Sequence, residues 1–249
     1  MNLVKTSVLV AALMASSGCV TGINPGNIVG AGANLYKSAT VSDDELVSLS
    51  MQLREREDKT HRVAPAGSSY AKRLDRLMAN LTSVNGKPLS YKVYITNEVN
   101  ANAAPDGSVR VFSGLMDVMT DDELRFVIGH EIGHVAHNHA KQKYRDAYLT
   151  AAARKAAGIY SAVGVFSNGV LGDVAENLVK SQFSQSDELE ADEYGLQFLQ
   201  SNGYDQNAAL TCLAKLKGSG GFFSTHPSSE ERVTNLRKRI TQGKTMDSK

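Results

Sequence analysis

Apolar residues recur along this chain at helical intervals, and polar capping motifs mark where the first helices begin. Residues 42–45 read Ser-Asp-Asp-Glu, which is the spacing of a capping box, and apolar residues then follow every three or four positions. The charged run at residues 54–62 continues the same helix as a solvated face. The pattern predicts a folded body that begins near residue 41.

A second helix and a small β region are predicted next. Apolar residues at helical spacing cover residues 70–81, and the turn-forming sequence Asn-Gly-Lys-Pro follows at 85–88. Residues 91–95 and 109–112 alternate polar and apolar side chains, as half-buried strands do. Pro-Asp-Gly at residues 105–107 supplies a tight turn just before the second strand.

Helices dominate the rest of the chain. Residues 120–123 form a second capping-box pattern, which opens a helical stretch expected to reach about residue 143. Further helices are predicted at 187–200, 206–216 and 228–240. No internal repeat is visible, which excludes a solenoid. The predicted fold is therefore α+β and mainly helical, with a small β region beside the long helix.

Composition and charge narrow the possible functions only a little. Apolar residues make up 42% of the chain and aromatic residues 6%, which is ordinary for a globular protein and excludes chain-wide disorder, collagen and a disulfide scaffold. The formal net charge of +1 gives no broad basic field, so we expect no nucleic-acid partner.

The N-terminal residues are typical of a secretion signal. The apolar stretch at residues 8–15 is far shorter than the roughly 20 residues needed to cross a bilayer. It ends in Ser-Ser-Gly-Cys, which resembles a bacterial lipobox and predicts cleavage before Cys19 and lipid attachment to it. The alternative is a plain secretory signal in which this cysteine is incidental.

This signal sets the predicted organisation of the chain. Residues 1–18 are interpreted as the lipoprotein signal peptide, residues 19–40 as the lipidated N-terminus and a flexible tether, and residues 41–249 as one domain. By resemblance to enterobacterial lipoproteins, the absence of Asp after Cys19 favours the outer membrane, on its periplasmic face. The uncharged stretch at 156–172 contains too many Gly and polar residues for a membrane span.

The candidate chemistry lies on the long helix. His130 and His134 are four residues apart, so both imidazoles project from one helix face and can bind one zinc ion. Glu131 lies at the edge of that face, where a carboxylate can take a proton from water without binding the metal. The pattern predicts a catalytic zinc site with Glu131 as the general base.

A catalytic zinc site normally has a third protein ligand. Glu188 and Asp192 share one face of a later helix, so Glu188 can bind zinc while Asp192 accepts a hydrogen bond from a ligand imidazole. An acidic solvated helix face is the alternative for this run. His137 and His139 are expected at the surface, because a continuous helix would carry His137 away from the metal.

These motifs resemble the metallopeptidase family of the CAAX prenyl protease and the membrane heat-shock protease HtpX, including its soluble periplasmic lipoprotein members. The resemblance extends over residues 64–239 and includes the segments at 91–94, 114–117, 119–121 and 181–185. It implies a zincin-type, gluzincin-like domain with one zinc ion per chain. It also implies that Glu188 is the third ligand and that Asp192 supports a ligand.

The resemblance implies a substrate-binding strand as well. Residues 100–107 match an Asn-Ala-x-Ala-x-Pro-x-Gly segment of the family, which gives Asn100, Ala101 and Ala103 as substrate-binding residues. A strand edge over the zinc helix can pair with an extended peptide through backbone hydrogen bonds. Without the resemblance, this segment indicates only a hairpin.

His226 is the last candidate catalytic residue. His226-Pro227 and Arg232 match a His-Pro-x-x-x-x-Arg motif of the family, and the Gly-rich residues 218–221 precede it. His226 either stabilises the oxyanion or fills the open zinc position and holds the enzyme latent. A third alternative is a histidine that only packs ahead of the last helix.

Together these features predict a zinc metalloendopeptidase that is lipid-anchored in the bacterial envelope and cleaves misfolded or unassembled envelope proteins. Its partners would be polypeptide substrates and, through Cys19, the membrane. The alternative is a zinc-fold chaperone or assembly factor at the outer membrane that has little catalytic activity.

Overall fold

The computed structural model of the protein describes residues 41–156, 168–217 and 221–246. Its helices are α1 (Asp43–Thr60), α2 (Ser69–Met78), α3 (Ser113–Val118), α4 (Asp121–Ala136), α5 (His139–Ala156), α6 (Asn168–Lys180), α7 (Gln185–Ser201), α8 (Ala208–Leu216) and α9 (Glu230–Met246), with a short 3-10 helix at Phe222–Ser224. Its strands are β1 (Ser83–Val84), β2 (Lys87–Pro88), β3 (Ser90–Tyr94), β4 (Ala101–Ala103) and β5 (Ser108–Phe112). The mainly helical α+β class is confirmed.

Some of the sequence predictions lie outside these residues. The signal peptide, Cys19 and the tether all precede residue 41, and the uncharged stretch is described only at residue 156 and from residue 168 onward. Residues 218–220 of the Gly-rich segment are also outside the described part of the chain. Of the helices that are described, none combines the length and the apolar character that crossing a bilayer requires.

Capping boxes mark where three of the described helices begin. Both predicted capping boxes form: the hydroxyl groups of Ser42 and Thr120 accept from the backbone N–H of Glu45 and Glu123, whose carboxylates accept from the cap backbone in return. Ser184 starts α7 by the same exchange with Asp187. These bonds satisfy N–H groups that the first helical turn leaves free.

The β region is a three-stranded sheet in the order β3-β5-β4, in which β3 is parallel and β4 antiparallel to β5. Gly107 has a φ of +86° in the turn between β4 and β5, a conformation that glycine adopts without strain. The predicted hairpin over residues 100–107 is therefore present, and β4 is an outer strand of the sheet. The turn near Asn85 joins the small antiparallel pair β1 and β2, which was not predicted.

The prediction of one helix from residue 121 to about residue 143 is wrong. α4 ends at Ala136, and a new helix, α5, begins at His139. Asn138 between them has a φ of +64°, the left-handed conformation that asparagine tolerates at a helix C-terminus. This break lets α5 leave in a new direction, and it changes the surroundings of His139.

Helix α6 was also missed. Leu171 and Val174 are buried on one of its faces, together with residues of α1 and α5 in a second hydrophobic cluster. The sequence pattern predicts no element here, because the Gly-containing, uncharged stretch leads directly into this helix.

The main core is built around α4, which packs closely against α7. A Cβ atom on Gly133 of α4 would lie 2.9 Å from Cβ of Tyr194, and one on Gly195 of α7 would lie 2.9 Å from the backbone oxygen of Phe126. The two helices can approach this closely because both contact points are glycines. The close packing brings the His130 face of α4 against the Glu188 face of α7.

Candidate metal centre

The middle of α4 and the first half of α7 bury five polar groups against one another. His130, Glu131 and His134 on α4 and Glu188 and Asp192 on α7 are each at most 2% exposed. Buried charged groups are expensive unless they are paired or bind a metal. This burial therefore contradicts the alternative that the acidic run on α7 is a solvated helix face.

Four side chains converge at the centre of this region. One ligand atom from each of His130, His134, Glu188 and His226 lies within 4.8 Å of all the others. Nε2 of His130 is 3.2 Å from Nε2 of His134, and Nδ1 of His226 is 3.0 Å from Oε1 of Glu188. All four residues are buried.

The donor set fits a zinc ion. Nε2 of His134 is 3.4 Å from Oε1 of Glu188, and Nε2 of His130 is 3.6 Å from Oε2. Zinc takes nitrogen and oxygen ligands at about 2.0–2.2 Å, so a tetrahedral site has edges of roughly 3.3–3.6 Å. Glu188 Oε2 contacts Arg232 at 2.5 Å but forms no aligned hydrogen bond, so one of its oxygens has acceptor capacity to spare.

An ion network supports the ring of His130 from behind. Nδ1 of His130 lies 2.9 Å from Oδ1 of Asp192, so the ring donates there and leaves Nε2 with its lone pair. The buried guanidinium of Arg232 donates to both oxygens of Asp192 at 2.7 Å, through Nε and Nη2. Asp192 thus lies where the sequence predicted it, hydrogen-bonded to a candidate ligand.

The network shifts the pKa values of its members. Burial acts to raise the pKa of Asp192, but the hydrogen bonds from Arg232 and His130 outweigh it and hold the pKa below its usual range. Burial also opposes ionisation of Glu188, yet its pKa is lowered because His130, His134 and His226 surround it. Both carboxylates are therefore charged at neutral pH, as a metal ligand and its support need to be.

His134 is supported differently, by His139. Nδ1 of His134 lies 3.2 Å from Nδ1 of His139, whose Nε2 is 3.4 Å from Glu190 Oε2 and 3.6 Å from Asp187 Oδ1. The His139 side chain is only 10% exposed, so the expectation that it lies at the surface is wrong, because the break at residue 138 turns it toward His134. The His137 side chain is 42% exposed, as predicted.

Glu131 and His226 face each other beside the cluster. Nε2 of His226 is 3.2 Å from Oε1 of Glu131, an oxygen that forms no hydrogen bond of acceptable geometry with any described residue. The His226 ring stacks on Phe222, with ring centroids 4.4 Å apart and 13° between the planes. The two nitrogens of His226 therefore contact the ligand cluster and the candidate base at the same time.

A cleft of about 330 Å³ opens onto these groups. Glu131 and His226 line it, and so do Asn100, Ala101 and Ala103 of the segment expected to bind substrate. β4 thus borders the cleft next to the candidate base. The structure brings all of the predicted site residues of the domain into one region.

Three neighbours of the centre were not assigned a role in the sequence analysis. Phe183 stacks on His134 with ring centroids 3.7 Å apart, His139 supports the same ring, and Arg232 joins Asp192 to Glu188. Arg232 had a usable signal, because it closes the His-Pro-x-x-x-x-Arg motif. Phe183 belongs to the 181–185 segment that carries the resemblance, whereas His139 had no signal, and only the folded chain brings either residue to His134.

A buried His-Glu-x-x-His helix, completed by a carboxylate from a second helix and open to a cleft, defines a metallopeptidase. The chain belongs to peptidase family M48, whose family model matches residues 68–240. Members of this family depend on a metal, and the buried His and Glu cluster is able to hold one.

Individual relatives agree with this assignment. Metalloprotease LoiP of Escherichia coli (strain K12) is 40% identical over 232 residues, which cover 90% of this chain and 92% of LoiP. Metalloprotease YcaL of the same organism is 38% identical over 241 residues, which cover 94% and 95%. The beta-barrel assembly-enhancing protease of that organism is 29% identical over 193 residues, covering 69% of this chain and 38% of the relative. The resemblance found from the motifs is confirmed.

Proposed function

We propose that this metallopeptidase is a zinc-dependent endopeptidase of the bacterial envelope that cleaves misfolded or unassembled envelope proteins. The observation that carries the proposal is the meeting of ligand atoms from His130, His134 and Glu188 beside the Glu131 carboxylate, which lines a cleft. When bound, zinc supplies Lewis-acid chemistry, which polarises a peptide carbonyl and acidifies water.

Residues of the chain itself bind the metal, transfer the proton and bind the substrate. His130, His134 and Glu188 hold the zinc ion, one per chain. Glu131 takes a proton from the attacking water and returns it to the leaving amine, which needs a carboxylate that faces the cleft without binding the metal. The outer edge of β4, at Ala101 and Ala103, pairs with an extended stretch of substrate, and Asn100 lies directly before this strand in the lining of the cleft.

His226 holds the resting enzyme latent. Its Nδ1 is 3.2 Å from Nε2 of His130 and 3.0 Å from Oε1 of Glu188, so it would be able to act as a further ligand of a bound zinc ion, while its Nε2 lies against Glu131. The His226 side chain thus contacts both the ligand cluster and the general base Glu131, which are the two groups that catalysis needs. The segment that carries His226 therefore moves before substrate is cleaved.

The envelope location is supported by sequence alone. The lipobox-like segment that ends at Cys19 favours a lipid anchor, and the residue after it favours the periplasmic face of the outer membrane. One relative is the beta-barrel assembly-enhancing protease of Escherichia coli, and this similarity favours substrates among envelope proteins.

Proteolysis is tested by incubating unfolded casein with the purified, zinc-loaded protein. We expect fragments with the native protein and none with Glu131→Gln, while Glu193→Gln, a change on α7 that removes only an ion pair with Arg239 at the surface, retains cleavage. Stable binding of casein without fragments in every sample would favour the rival role as a chaperone.

His226→Ala distinguishes the two roles of His226. If His226 keeps the enzyme latent, basal casein cleavage should rise, because Glu131 is freed. If it stabilises the oxyanion, cleavage should instead fall by about 10²- to 10³-fold with little change in zinc content. Unchanged cleavage and unchanged zinc content would leave it a packing residue only.

Cys19→Ser tests the anchor. We expect the variant to lose lipid attachment and to leave the outer-membrane fraction, because anchoring by this route depends on the acyl chains. The measurement is membrane fractionation with labelled fatty acid. An unlipidated variant that stays in the outer-membrane fraction would contradict Cys19 as the anchor.

A further inference from the structure

Lys143 on α5 is a charged group of the cleft that the proposed mechanism does not use. It lines the same cavity as Glu131 and His226. Its Nζ lies 4.3 Å from the centroid of the Phe183 ring, which itself stacks on His134. No carboxylate in the described part of the chain lies within ion-pair distance of this ammonium group.

The neighbouring cations all have partners. Arg54, which lines the same cavity, donates to Glu57 at 2.5 Å and to the Ser108 hydroxyl at 2.9 Å. Lys141, two residues before Lys143 on α5, pairs with Asp43 at 2.6 Å. Among the described residues, Lys143 is thus a cation that lines the cleft without a counterion.

The electrostatic balance at Lys143 favours an additional anion. Burial lowers the pKa of Lys143 to about 8, although the charges of Glu131 and Glu188 act to raise it. Burial therefore has the larger effect, and the ammonium group is less well stabilised here than in water. A carboxylate that approached it would restore part of that stabilisation.

The cleft is not uniformly basic, so the position of Lys143 determines where along it a carboxylate would be attracted. The parts of the cavity formed by α1 and by the segment before β4 contribute Glu57 and Glu98. Because Glu57 is paired with Arg54, an acidic group of a substrate would be repelled mainly near Glu98 and attracted beside Phe183. The cleft can therefore select the register in which a peptide lies.

We propose that Lys143 is a specificity-determining residue that binds a carboxylate of the polypeptide substrate. The proposal rests on the endopeptidase function proposed above. The carboxylate has two possible sources with the same chemistry, namely an Asp or Glu side chain within the substrate and a free C-terminus. Either source would give this peptidase a preference that the zinc ligands alone do not determine.

The first experiment measures cleavage of quenched fluorescent peptides in which one Glu is moved through successive positions, each with a matched Gln peptide. A second set compares free with amidated C-termini. Within one enzyme, the ratio of kcat/KM for the two matched peptides cancels any general change in activity. We expect a ratio of about tenfold or more at one position, or between the two kinds of C-terminus, since a hydrogen bond to a charged group has about this effect.

Lys143→Met should bring that ratio to about one, and Lys143→Glu should favour Lys over Gln at the same position. Lys141→Met is the matched control and should keep the native ratio, because its side chain pairs with Asp43 instead. A native ratio in Lys143→Met would overturn the proposal, and so would the lack of any Glu or C-terminal preference in the native protein.

A binding measurement separates this proposal from the proposed function. Fluorescence anisotropy of the same labelled peptides is recorded with Glu131→Gln and with the double variant Glu131→Gln/Lys143→Met. Tighter binding of the carboxylate peptide that disappears in the double variant supports the subsite even if no peptide is cleaved. Equal binding by both proteins overturns it, whereas absence of cleavage alone counts only against the endopeptidase.

Discussion

His130 and His134 lie one turn apart on α4 and reach the same cluster, yet the protein supports their rings in different ways. Behind His130, Nδ1 meets Asp192 at 2.9 Å, and Arg232 holds that carboxylate through two hydrogen bonds of 2.7 Å. Asp192 and Arg232 are both fully buried. Because these groups are buried, water does not compete for their hydrogen bonds, and the ring of His130 is held firmly.

The groups that support the His134 ring are separated by longer distances, and the last of them lie at the surface. Its Nδ1 meets His139 at 3.2 Å, and His139 in turn lies 3.4 Å from Glu190 and 3.6 Å from Asp187, whose side chains are 54% and 32% exposed. Solvent screens such carboxylates. The spacing of the motif thus decides where both rings point, whereas their surroundings decide how firmly each ring is held.

The largest effect should follow removal of the cation behind His130. Arg232→Leu leaves Asp192 and Glu188 buried without their shared counterion, so we expect a loss of about 3–5 kcal/mol in the free energy of unfolding. Urea denaturation of the metal-free protein measures it. Arg239→Leu is the control: Arg239 pairs with Glu193 at the surface, and its loss should cost about 0–1 kcal/mol. Equal losses would show that burial of the Arg232 network is irrelevant to stability.

The next largest effect is expected when the charge of the Asp192 carboxylate is removed. Asp192→Asn should lower zinc affinity about 10- to 100-fold, because an amide orients the His130 ring less well and does not raise its basicity. Competition with a chromophoric chelator measures the affinity. Zinc binding as tight as in the native protein would mean that the contact between Asp192 and His130 does not tune the site.

The smallest effect should be on the His134 side. His139→Leu should lower zinc affinity by less than Asp192→Asn does, because the support it removes is longer and partly solvated. His139→Asn should recover most of the loss, since its Oδ1 can accept from Nδ1 of His134 where Nδ1 of His139 did. Chelator competition and the nitrogen shifts of His134 report the affinity and the tautomer. A larger loss than in Asp192→Asn would reverse the comparison.

Several features of the centre could be predicted because they depend on short stretches of sequence. The capping box at Thr120 starts α4, and the interval between His130 and His134 places both rings on one face. The same interval relates Glu188 to Asp192 on α7. A helix repeats its geometry whatever surrounds it, so these pairings follow from spacing alone.

Other features could not be predicted because local preference was too weak to decide them. Nothing in the pattern required α4 to stop at Ala136, since helical spacing continues past it. Asn138 adopts a left-handed conformation, which asparagine tolerates but does not require. Because the end of the helix was predicted wrongly, His139 was expected at the surface, whereas the break turns it toward His134.

The amino-acid sequence alone determined the helical character of the chain, the position of its metal-binding helix and the four residues of the two helical pairs. Only the tertiary structure decided that His226, 96 residues from His130, contacts both the ligand cluster and Glu131. It alone also left Lys143 in the cleft with no carboxylate of the described residues at ion-pair distance. The reason is physical: helix periodicity is a local property of the backbone, whereas burial and the pairing of charges depend on which distant segments pack together.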